Sequence, residues 1–222
     1  MTLVLFRRVF LVMTPLTLAV VLWWHPAGGE DVYEGVRDDV GAWLFVHTAL
    51  LFFMPLLGLA TFVLLRGLES RAAMVSRIAL VFFLVFYTAY EMTVGVGTGV
   101  LVDYANGLPA AEQAVVADAI QDYNRNWISA DPSVALVLGG AGWIVAMVAA
   151  AIAFRRAGAG WPVTALVGLA ALFAIHPPPV GPAALACFAA AAVLIERARA
   201  RDAKAVALPP ASTGVAPAGT AA

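Results

Sequence analysis

Polar positions in this chain are confined to short islands between long apolar runs. Six runs stand out: Val9–Trp24, Ala42–Leu65, Ile78–Val102, Val134–Phe154, Val163–His176 and Val180–Ile195. A helix needs roughly 20 apolar residues to cross ~30 Å of hydrocarbon. The runs therefore predict an all-α fold, a polytopic membrane helix bundle of six transmembrane helices occupying residues 1–204. The last two runs, at ~21–24 Å, are short for a crossing. "HPPPVGP" separates them, and proline removes backbone donors and turns the preceding residue away from helix. That break argues against fusing them into one span. Short helices there would leave the proline turn sunk below the outer surface, which is tolerated where protein buries it or where it lines a cavity.

Between the third and fourth runs the period changes. Val116, Ile120, Tyr123 and Trp127 fall on one helical stripe, with Asp118, Gln121 and Asp122 off it. This predicts an amphipathic helix along the outer face, with Pro109 in its first turn and Trp127 at headgroup depth. A helix that simply covers the end of the bundle would carry the same pattern. Asp131 and Pro132 read as the cap and first turn of the next span. Residues 205–222, rich in Pro, Ala, Gly and Thr, read as a disordered cytoplasmic tail.

Composition agrees with the pattern. The chain is 63% hydrophobic and 12% charged, far from the balance a water-facing surface requires. The bilayer is thus the first partner, and no nucleic-acid footprint is present. The single cysteine, Cys187, excludes an internal disulfide and reads as a small buried hydrophobe. Charge gives orientation. With both termini cytoplasmic, all but Arg37 and Arg125 of the 13 Lys and Arg residues lie inside the cell. The outer loops then carry Glu30, Asp31, Glu34, Asp38, Asp39, Asp103, Glu112, Asp118, Asp122 and Asp131. "FRRVFLV" has the look of a twin-arginine export signal, but no small-residue cleavage site follows it and five more apolar runs do. Arg7 and Arg8 read instead as snorkelling from the first span.

The candidate chemistry gathers toward the outer side. His25 and His176 end the first and fifth runs there, each next to a proline, and His47 lies near the outer end of the second. Glu91 is the one carboxylate well inside a run. An ionised group at such depth costs at least ~2.5 kcal/mol and so faces the bundle interior with a partner. Tyr87, Gly95 and Thr98 share its face at helical spacing, making Tyr87 and Thr98 further interior polar groups. Gly95 and Gly99 would admit a neighbouring helix.

Three imidazoles and a carboxylate suit one first-row transition metal ion: zinc, copper, iron or manganese. An open position on it would support a metal-dependent membrane enzyme, hydrolytic or redox. No two of these residues have a local ligand spacing, so the constellation rests on topology. The competing reading makes the histidines helix caps of an accessory or structural subunit. That subunit would meet other membrane proteins through small-residue faces such as "GGAGW" at Gly139–Trp143. A third reading is a small-solute or proton-coupled transporter using Glu91.

Overall fold

The computed structural model describes residues 2–26, 31–130 and 132–207, and among these every regular element is helical. In chain order they are α1 (Thr2–Leu22), α2 (Val32–Val36), α3 (Val40–Leu64), α4 (Arg71–Asn106), α5 (Ala110–Tyr123), α6 (Val134–Arg156), α7 (Trp161–Ala174) and α8 (Val180–Ala207). Five of them, α1, α3, α4, α6 and α8, are long and apolar enough to cross a membrane.

The fifth expected span, Val163–His176, is where sequence and structure part. α7 is α-helical only to Leu169 and finishes as a tighter 3₁₀ turn over Ala170–Ala174. At ~1.5 and ~2.0 Å per residue it reaches about 23 Å, less than the ~30 Å of hydrocarbon. The sixth run, by contrast, is the start of a much longer helix, because α8 continues through "ERARARDAK" to Ala207. The tail beyond it lies outside the described residues.

The long helices and α7 close into a ring. α3 packs on α1, α1 on α8, α8 on α7, α7 on α6, α6 on α4, and α4 back on α3. The interior is aromatic and aliphatic. Trp143 is fully buried against Phe83, Phe173 and Phe188, and its indole donates to the Ala170 carbonyl at 2.8 Å. Large apolar side chains such as Phe52, Val85 and Ile144 point outward from the ring. A water-facing protein would not expose so many, and lipid is their natural solvent.

α4 is not a plain α-helix. It widens into π-helical turns at Phe83–Tyr87 and again at Glu91–Gly97. Such bulges are frequent at functional sites. Small residues on the facing helices fit the widened turns. A Cβ at Gly139 or Gly142 would collide with the backbone at Tyr87 or Phe83. Two glycines of "GGAGW" are thus used inside this chain rather than presented to a partner.

The segments around α2 and α5 form a cap over one end of the ring. Tyr33, Val36, Val102, Ala105 and Ile120 make a second, smaller apolar cluster, with Val116 packed against it. The stripe on α5 therefore faces protein, not headgroups. Trp127 is not part of it: the helix stops at Tyr123, and Trp127 stands exposed in the turns beyond. Pro109 sits at the N-cap rather than in the first turn. α6 begins at Val134, where the apolar run does, but its cap lies two residues later than expected. Its cap is Ser133, whose hydroxyl accepts from the Leu136 N–H at 3.1 Å, so Pro132 precedes the helix. Asp131 lies outside the described residues, as does Glu30. Cys187 is half-buried rather than buried.

Candidate metal centre

The three histidines come from three separate parts of the ring. His25 follows the end of α1, where turns over Trp23 and Trp24 lead into Pro26. His47 is on α3, roughly 10 Å inward from its first residue. His176 follows α7, just before the Pro177–Pro179 turn. For His25 and His176 to meet His47, both of their segments must dip below the N-terminal end of α3. They do meet it. The ring centroids of His25 and His47 are 4.9 Å apart, those of His25 and His176 5.0 Å, and those of His47 and His176 6.3 Å. One ligand nitrogen from each lies within 4.8 Å of the others. His47 and His176 are buried, and His25 is half-buried.

Two glycines make this approach possible. A Cβ at Gly95, in the second π turn of α4, would run into the His47 imidazole, and one at Gly181, in the first turn of α8, would run into the His176 carbonyl. The expected close approach through Gly95 and Gly99 is thus made by α3: Gly99 meets Trp43 and Leu44. Trp43 gives no sign of this role in the sequence beyond standing four residues before His47. Its indole N–H donates to the Gly95 carbonyl at 2.7 Å, and its ring stacks on His47 at 4.2 Å.

The hydrogen bonds behind the rings decide which nitrogens face one another. The Nδ1 of His47 is 2.8 Å from the Trp43 carbonyl, and that of His25 is 2.7 Å from the Pro26 carbonyl. A carbonyl only accepts, so both Nδ1 atoms carry the proton and each Nε2 keeps its lone pair. The Nδ1 of His176 is 2.9 Å from the Tyr87 hydroxyl, which is also 3.3 Å from the Ala174 carbonyl. Two proton arrangements satisfy this third ring. In one, Tyr87 donates to Nδ1 of His176, and the His176 Nε2–H donates to His25 Nε2, 3.2 Å away. In the other, the His176 Nδ1–H donates to Tyr87, Tyr87 donates to Ala174, and all three Nε2 lone pairs converge. The second is the pattern of metal-ligating histidines, whose remote N–H is held by an oxygen. The same bonds bear on the helix-cap reading. Neither His25 nor His176 directs its ring at the last carbonyls of its own helix; one bonds Pro26, the other Tyr87.

Burial pushes the His25 imidazole below its ordinary value, with the bond to Pro26 opposing, so the ring favours its neutral, ligating form.

Glu91 is fully buried beside this cluster, its Oε2 3.9 Å from His47 Nε2. That is too long for a direct hydrogen bond and long enough to admit one interposed atom. Of the other interior polar groups expected from the sequence, Tyr87 joins the site. Thr98 is buried too, but it donates to the Asn124 side chain at 3.2 Å, toward the cap rather than at the histidines. Met54 is core packing, and Met92 points out of the ring.

The fold and site define a membrane-type helical protein with a histidine cluster able to hold a metal ion. Compared with protein-family models, curated proteins and solved structures, the chain matches none.

One buried carboxylate carries no signal in the hydropathy pattern. Glu196 lies one residue past the last apolar run, yet it is on α8 and 4% exposed. Its Oε2 accepts from Arg7 at 2.6 Å and its Oε1 from Arg199 at 3.0 Å. This group is at the basic end of the ring, remote from the histidines.

Proposed function

We propose that this protein is an integral membrane metalloprotein binding one transition metal ion on Nε2 of His25, His47 and His176, with both termini cytoplasmic and the site facing outward. The observation that supports this reading is the cluster itself: one ligand nitrogen of each histidine lies within 4.8 Å of the others, and each Nδ1 stands beside an oxygen. The donor set is all nitrogen with a carboxylate near and no thiolate, which favours zinc or another divalent first-row ion over copper(I). Three ligands leave a fourth position for water. Glu91, beside His47, would accept a hydrogen bond from that water and draw its proton, the arrangement that metal-assisted hydrolysis needs. Orientation rests on the basic residues, which gather at the ends of α1, α3, α6 and α8 remote from the site.

The test is metal analysis of the full chain purified in detergent without chelator. About one ion per chain is expected, with His47→Ala and His176→Ala both losing it. His47 is the decisive position, since it lies inside α3. Glu91→Gln should keep the metal and lose any hydrolytic activity. A metal-free wild type, or unchanged metal in both histidine variants, would return the histidines to a structural role.

A further inference from the structure

At the opposite end of the molecule, α1 and α8 enclose a recess of about 610 Å³ between Arg8 and Val12 on one side and Val193, Leu194, Glu196, Arg197, Ala200 and Arg201 on the other. Its walls are graded along the helix axes. Val12, Val193 and Leu194 lie toward the middle of the helices. Arg8, Arg197 and Arg201 lie toward the ends. On α8 the lining residues Val193, Arg197 and Arg201 follow one another at i, i+4, so one helix face runs from apolar to basic.

The neighbouring arginines are already occupied. Arg7 and Arg199 neutralise Glu196, and Arg199 also donates to the Leu64 and Arg66 carbonyls at the end of α3. Arg77 donates to the carbonyls of Leu65 and Leu68. Arg8 approaches Glu196 only at 3.6 Å and is 44% exposed. Among the described residues, Arg197 and Arg201 have no carboxylate in ion-pair range. One carboxylate thus faces several guanidinium groups, and the surplus positive charge lines the recess. Arginines that only anchored a helix in the interface would not need a walled pocket with an apolar floor.

We propose that this recess binds an anionic phospholipid. Arg8, Arg197 and Arg201 take the phosphate, and an acyl chain lies along Val12, Val193 and Leu194. The planar, multidentate guanidinium suits a phosphate oxygen pair, and basic pockets between membrane helices are where anionic headgroups bind. The site is independent of the metal centre.

Native mass spectrometry of the full chain, with added phosphatidylglycerol, phosphatidylcholine or glycerol phosphate, tests this. Phosphatidylglycerol should be retained about tenfold or more over phosphatidylcholine. The double variant R197Q/R201Q should bring the two to parity. Both side chains are exposed and, among the described residues, pair with no carboxylate, so little effect on folding is expected. R156Q, an arginine at the same end on α6, should leave the preference intact. Equal retention of the two lipids by the wild type, or an unchanged preference in R197Q/R201Q, would overturn the proposal. Glycerol phosphate displacing the lipid at equal concentration would assign the recess to a soluble phosphate ester and overturn it as well.

Discussion

Nε2 of His176 stands 3.2 Å from Nε2 of His25, although 151 residues separate them in sequence. Two ligands on a tetrahedral ion with 2.0–2.1 Å bonds are about 3.3 Å apart. The pair is therefore spaced as one edge of such a site. Without an ion, the same contact persists only if one ring donates to the other, which ties its geometry to the Tyr87 hydroxyl behind His176.

That hydroxyl is open to test. Tyr87→Phe removes the oxygen that holds the His176 Nδ1–H while keeping the ring that packs on Phe83. Metal affinity should fall by about 10–100-fold with the stoichiometry at saturation unchanged, as a chelator competition would measure. An unaltered affinity would mean that His176 takes its orientation from the Pro177–Pro179 backbone alone.

A second prediction concerns space. Gly95→Ala drives a methyl group into the His47 ring, and overpacking of this kind costs about 1–3 kcal/mol. The melting temperature in detergent should drop by several degrees, and metal should be lost with it. Gly41→Ala, at the start of the same α3, meets no atom within 4 Å. Its melting temperature should be unchanged or raised, since alanine is the better helix former.

A third concerns Glu196. Glu196→Ala leaves Arg7 and Arg199 without their common acceptor. Breaking a fully buried pair costs about 3–5 kcal/mol, but these guanidinium groups are 28–30% exposed, so about 1–3 kcal/mol is expected. Thermal unfolding in detergent reads this directly. Metal content should stay at the wild-type value, because the site is at the other end of the ring.

The fourth prediction is topological. A reporter fused after Ala205 should be active only in its cytoplasmic form, and one inserted in the loop before Ala110 only in its exported form. The reverse pattern would turn the metal centre inward.

Much of this was legible in the sequence, and the reasons for the exceptions are specific. His25, His47, His176 and Glu91 could be found because each is a polar residue in or at the end of an apolar run, where hydrocarbon leaves it nowhere to go but inward. Tyr87 followed from its spacing to Glu91. Trp43 did not, because its contributions are an indole N–H to a π-helical carbonyl and its own backbone oxygen. Widened turns in α4 leave no mark on a 3.6-residue pattern. Glu196 was hidden because hydropathy stops at Ile195 while the helix continues. Trp127 was placed on the α5 stripe by extending a period past the helix end at Tyr123. The shortness of α7 is visible in its 14-residue run, but apolarity alone marks six runs where five helices are long enough to cross.

The wide separation of the ligands along the chain bears on biogenesis. Residues 25 and 47 leave the ribosome early, and residue 176 late. A nascent chain halted before α7 presents two of the three imidazoles, an incomplete ligand set for the proposed site. On the proposed function, metal capture would wait until the final helical hairpin has inserted and Gly181 has seated the His176 carbonyl. An ion bound across α1, α3 and the α7–α8 turn would then act as a clasp on the finished ring. Incompletely inserted chains would stay unloaded and, lacking the clasp, open to proteolytic removal.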